Sequence, residues 1–138
     1  MDFPVIRASS LAVPYQTSFT NGTHDAMADV HIEKGGAGQG FGPHELFEAA
    51  FATCMIMTVR MSAAECGIPL TEARCEVQVD RSVPNAVTLN YTLRFDGPLT
   101  GDHAARLREA ASRCPVARTL TGAISLKELP AVVDSEGI

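Results

Sequence analysis

From residue 1 to 34 the apolar positions come in short clusters separated by turn formers: Val5 and Ile6, then Tyr15 to Phe19, the Asn21-Gly22 pair, and Met27 to Ile32. This pattern predicts short antiparallel strands with a hairpin at Asn21-Gly22, because Asn and Gly tolerate the positive φ of tight hairpin turns. Residues 35–42 (GGAGQGFG) match neither the dinucleotide nor the phosphate-loop spacing, so a flexible crossing is expected there. Pro43 then opens a stretch dense in Ala, Leu, Met and Glu that stops at Gly67 and Pro69, which predicts one long helix. Phe47, Ala50, Cys54, Met57 and Met61 follow spacings of 3 and 4, and Phe51, Met55, Ile56 and Thr58 widen the apolar arc. A helix apolar over so much of its girth belongs at the centre, and in so small a chain a second subunit is expected to cover part of it.

After Pro69 the period shortens. Cys75, Val77 and Val79 alternate with polar residues, as do Val87, Leu89, Tyr91, Leu93 and Phe95. Two antiparallel strands with one wet face each, turning near Pro84-Asn85, are expected. A second, amphipathic helix is predicted from Gly101 to Arg113, through Ala105, Leu107, Ala110 and Ala111, followed by a turn from Cys114-Pro115 to Leu120 and a last strand from Ile124 to Leu129. The order of elements is that of an α+β fold, and at 138 residues, 46% of them hydrophobic, it fits a single domain over residues 1–138.

Charge narrows the functional classes. Eleven basic residues against sixteen acidic ones leave a net charge of -5, with the basic residues scattered, which disfavours nucleic acid as a partner. No apolar run reaches the roughly 18 residues that span a bilayer, and MDFPVIRASS lacks the basic and apolar regions of a signal peptide; no membrane association and a cytoplasmic location are expected.

Four cysteines remain as candidate chemistry: Cys54, Cys66, Cys75 and Cys114, with no CxxC pair among them, so neither a zinc ribbon nor a thioredoxin-type motif is present. Proline disfavours helical geometry in the residue before it, so Cys114 should fall at a helix break with Pro115 opening the next turn. A thiol at such an N-cap faces unpaired backbone N–H groups, with Arg113 and Arg118 nearby, and each feature favours thiolate; the other reading is a buried cysteine at a kink. Cys54 lies mid-helix among Phe51, Met55, Ile56 and Met57 with no cation one turn away, so its surroundings alone describe a structural residue. Cys75 is in phase with inward valines and Cys66 sits in the last helical turn, and both are expected to be inert.

Several stretches, in order, resemble the OsmC/Ohr family of organic hydroperoxide reductases: Gly42-Pro43-His44-Glu45-Leu46-Phe47-Glu48-Ala49-Ala50 running into Ala52-Thr53-Cys54, then Met57-Thr58-Val59-Arg60, Gly67-Ile68-Pro69-Leu70, and Arg113-Cys114-Pro115-Val116-Ala117-Arg118-Thr119-Leu120-Thr121-Gly122. The resemblance covers roughly residues 20–130. It implies antiparallel sheets packed around two central helices in an intertwined homodimer. It also implies a two-cysteine peroxidase in which Cys54 attacks an organic hydroperoxide and Cys114 resolves the sulfenic acid as a disulfide. No metal or bound cofactor is implied, only an external dithiol reductant such as a lipoyl protein. Peroxidases of that family activate the attacking thiol with an arginine from the N-terminal strands and a glutamate ten residues before the cysteine. Here the latter position is His44. The carboxylate stands at Glu45, about 180° round an ideal helix from Cys54, where it serves either the helix N-terminus or a partner subunit's site. In the loop where the arginine is sought, His24 is the candidate cation. A non-catalytic small-ligand-binding dimer and a redox-sensing dimer are the alternatives to the enzyme.

Overall fold

A computed structural model describes residues 3–130. The element order is β1 (Arg7–Ser10), β2 (Thr17–Thr20), β3 (Asp25–Ala28), α1 (Pro43–Cys66), β4 (Glu72–Asp80), β5 (Thr88–Asp96), α2 (Gly101–Ser112) and α3 (Pro115–Thr121), with one 3-10 turn at Ile32–Lys34. The architecture is α+β, with one antiparallel sheet ordered β1-β2-β3 and a second formed by β4 and β5.

The hairpin forms at Asn21-Gly22, where the Asn21 side-chain oxygen accepts the backbone N–H groups of Thr23 (2.9 Å) and His24 (2.8 Å). The glycine-rich stretch after β3 differs from the flexible crossing expected of it. It lies back along β3: the Gly38 N–H donates to the Val30 carbonyl (3.0 Å), Phe41 donates to Met27 (3.3 Å), and Asp29 donates to Phe41 (3.0 Å). A Cβ at Gly36 would collide with the Val30 carbonyl, so the small residues serve close backbone approach. Asp29 pins the clasp. Its carboxylate, 2% exposed, accepts the N–H groups of Val30 (2.7 Å) and Gln39 (3.0 Å) and the Gln16 amide (3.3 Å). The Gln39 N–H foremost holds the Asp29 carboxyl below its ordinary range.

Helix α1 starts at Pro43, as Pro at the first helical position allows, and stops at Gly67, whose φ of 64° suits a left-handed cap. Its buried stripe is Phe51, Met55, Val59 and Ala63. Of the broad apolar arc expected of this helix, Phe51 and Met55 lie inside, while Ala50, Met57 and Met61 face outward, with Met57 59% and Met61 66% exposed. Periodicity cannot choose a face on a helix that is apolar nearly all round; packing against β4 and α2 makes the choice. Those contacts also decide a second point. By length and composition α1 is apolar enough to cross a membrane, which corrects the expectation that no segment is, but it packs here as the core helix of the fold.

Strands β4 and β5 pair in the register Cys75↔Leu93 and Val77↔Tyr91. Ala73, Cys75, Val77 and Val79 turn toward α1, while Glu72, Arg74, Glu76, Gln78 and Asp80 are exposed, the alternation expected of a half-buried sheet. The core closes where Phe51, Met55, Val59 and Ala63 meet Ile68, Leu93, Leu107, Ala111 and Cys114. Complete burial of side chains such as Met55 and Leu107 contributes about 1.5–3 kcal/mol each.

The predicted strand from Ile124 to Leu129 does not form within this chain: residues 123–130 have no regular structure, and Leu126 is 95% exposed. A strand needs a neighbouring edge for its backbone N–H and C=O groups, and a suitable period alone does not provide one.

Candidate functional site: a two-thiol junction

Cys54 stands midway along α1, one turn past Phe51, and is half-buried. Cys114 stands between α2 and α3 with φ -61° and ψ 151°, the extended geometry that a following proline favours, and caps the N-terminus of α3. Folding brings the two together. The Val116 N–H, in the first turn of α3, donates to the Cys54 sulfur at 3.5 Å, and the Cys54 side chain lies against Cys114.

The expectation about Cys114 is half right. It is an N-cap, but its side chain is wholly buried and does not accept a capping hydrogen bond by geometry. Burial pushes the Cys114 thiol up, and the adjacent Cys54 sulfur adds to this by its hydrogen bonding and charge; the N–H groups of Ala117 and Val116 pull the other way without overcoming it. The Cys114 thiol thus runs opposite to the low-pKa thiolate expected of an N-cap. The helix N-terminus foreseen for Cys114 instead directs a hydrogen-bonded N–H at Cys54.

Glu45 accepts the Gly42 N–H at 2.7 Å and lies 3.5 Å from His31, so in this chain it caps α1. His24 sits in the hairpin loop, its ring nitrogen 3.1 Å from the Thr23 hydroxyl, and His44 is exposed on the first turn of α1. Among the described residues, no hydrogen bond joins Glu45, His24 or His44 to either sulfur of the junction. Arg113 pairs with Glu109 at 3.6 Å. Cys66 is exposed, and Cys75 is half-buried with its sulfur 3.6 Å from the Ala52 carbonyl. Among the described residues no three His, Cys, Asp or Glu side chains converge as metal ligands.

Beside the junction is an apolar cavity of about 470 Å³, lined by Phe47, Phe51, Leu89, Tyr91, Ala117 and Leu120 among others. Phe51 and Tyr91 meet edge to face with ring centroids 5.3 Å apart. A cleft of this kind suits an apolar organic molecule more than a small hydrophilic one.

Three contributors escaped the sequence reading. The Glu48 carboxylate accepts the Val79 N–H at 3.1 Å, tying α1 to the edge of β4. Arg108 donates to the Leu93 carbonyl at 3.0 Å while its guanidinium lies 5.2 Å from the centroid of the Phe95 ring, tying α2 to β5. An acid beside an apolar stripe and an arginine beside Leu107 are the signals that mark such clamps in a sequence. Nothing in the residue type of Val116 marks the third, because its backbone makes the contact.

Two cysteines, one on the central helix and one at a helix break, thus meet within an α+β frame. The profile of the OsmC-like protein family matches residues 36–128, and the chain belongs to that family. Among solved structures, it is similar to an OsmC-like protein of Mycoplasma pneumoniae (18% identity, 88% of this chain and 89% of that chain, TM-score 0.74). It is similar also to an organic hydroperoxide resistance protein OsmC of Legionella pneumophila (21% identity, 88% and 91%, TM-score 0.65). A third is an organic hydroperoxide resistance protein of Elizabethkingia anophelis (16% identity, 88% and 90%, TM-score 0.67). At these identities the likeness is one of fold. No curated protein matches the chain.

Proposed function

We propose that this protein is a thiol peroxidase that reduces organic hydroperoxides, with Cys54 as nucleophile and Cys114 as resolver. The observation that carries the reading is the meeting of Cys54, Cys114 and the Val116 N–H beside an apolar cavity. The Cys54 thiolate attacks the terminal oxygen of the hydroperoxide. The O–O bond breaks, the organic oxygen takes a proton and leaves as the alcohol, and Cys54 becomes a sulfenic acid. The Cys114 sulfur then attacks the Cys54 sulfur, its proton going to the departing hydroxyl, so that water leaves and a disulfide forms. A dithiol reductant such as a lipoyl group supplies two electrons and two protons to restore both thiols.

The reading includes a homodimer, in which a second copy covers Met57 and Met61 and brings its N-terminal region toward the junction. His24 and Glu45 then become candidate assistants from across the interface, in place of the arginine and glutamate that the family's peroxidases use. The test is consumption of cumene hydroperoxide with dihydrolipoamide as reductant. Wild type should turn over, and Cys54→Ser should lose about 10³-fold or more, including in the first turnover. Unchanged consumption by folded Cys54→Ser removes Cys54 as nucleophile.

A further inference from the structure

Helix α3 has seven residues, and isolated helices shorter than about 12–15 residues are marginal in water. It therefore depends on its attachments. None of its residues is fully buried, although Val116, Ala117 and Leu120 pack partly against the core. Its firm ties are at its start: Cys114, wholly buried, whose N–H donates to the Ala111 carbonyl at 3.2 Å, and the Val116 N–H, which donates to the Cys54 sulfur of another helix. The attacking sulfur is thus also a cap for α3, supplied from outside it.

We propose that oxidation of Cys54 and Cys114 to the disulfide unseats α3 and so opens the apolar cavity, a redox switch built into the junction. The two thiols give up two electrons and two protons to the oxidant and an S–S bond forms. That bond is about 2.05 Å long, so the sulfurs must close far inside van der Waals contact. Cys54 is held mid-way along a 24-residue core helix, whereas Cys114 sits at a joint between two helices. The joint moves. As the Cys54 sulfur turns toward Cys114 it leaves the Val116 N–H, which then loses its acceptor. Ala117, Leu120 and Thr121 form one wall of the cavity and Ile124 continues it, so loosening α3 displaces that wall and widens the cavity.

The inference rests on the proposed cysteine pair but not on peroxide as its oxidant, and the test separates the two. Full-length protein is oxidised with diamide, the linkage is verified by peptide mass, and amide hydrogen exchange is compared with the reduced form. Exchange across residues 116–121 should be at least about ten-fold faster when oxidised, with α1 around Cys54 and the β4–β5 ladder unchanged. In reduced Cys54→Ala, the Val116 amide alone should exchange a few-fold faster, because only its acceptor has gone. A verified linkage with unchanged exchange in α3 overturns this proposal and leaves the peroxidase reading standing. Failure of diamide to link Cys54 to Cys114 overturns both.

Discussion

Cys75 and Cys114 are the two thiols that burial pushes above the ordinary cysteine value, yet they stand in different company. Cys75 sits in β4 with its sulfur near the Ala52 carbonyl, one rung of a regular ladder. Cys114 sits at a break between two helices, against a second sulfur and next to an N–H aimed at that sulfur. Burial is common to both and does not separate them. Under the proposed function, what separates them is a partner sulfur within reach and a joint that lets the partner approach.

Exchanging each of the two for a redox-inert residue breaks this comparison most directly. Cys114→Ser should lower steady-state peroxide turnover by about 100-fold or more, while Cys54 still reacts once and accumulates as a sulfenic acid that a dimedone probe traps. Cys75→Val should leave turnover within about three-fold of wild type, because only a packed, weakly hydrogen-bonded sulfur is lost. Equal losses in the two folded variants, measured side by side, would mean that the partner sulfur is not what distinguishes them.

A smaller effect tests whether the junction is held from beneath. Met55, next to Cys54 on α1 and wholly buried, packs in the same cluster as Leu107, Ala111 and Cys114. Met55→Ala should cost about 2–5 kcal/mol in urea unfolding. The outward Met57→Ala should cost far less in a subunit that stands alone; a cost approaching that of Met55→Ala would reveal that a second copy buries the outer face of α1.

The smallest effect is in pH. In the unfolded chain both thiols release their protons near their ordinary value of 9.0, while the folded chain keeps them to higher pH. Above pH 9 the folded state therefore holds more protons, so these two groups make stability fall as pH rises, and below pH 9 they add no slope. Cys75→Val should flatten the alkaline fall by removing one of the two, read as a shallower decline of the denaturation midpoint. An unchanged slope would show that the Cys75 thiol ionises as freely folded as unfolded.

Much of the fold was legible because it depends on local rules. Pro43 and Gly67 mark α1 by what their backbones allow, alternation marks β4 and β5, and the proline after Cys114 sets the break between α2 and α3. The errors share a cause. The clasp made by residues 35–42 and the missing strand after Ile124 both depend on what packs beside a segment, and the segment's own period does not encode its neighbours. The same division runs through the site. The sequence by itself determined that a cysteine would stand at a helix break and another within a long apolar helix, and its motifs carried the family. Only the tertiary structure decided that the Val116 N–H points at Cys54, that Cys114 is wholly buried, and that its pKa rises where the N-cap argument had it fall. Desolvation and hydrogen-bond direction are set by atoms distant in sequence, and residue types along the chain do not fix them.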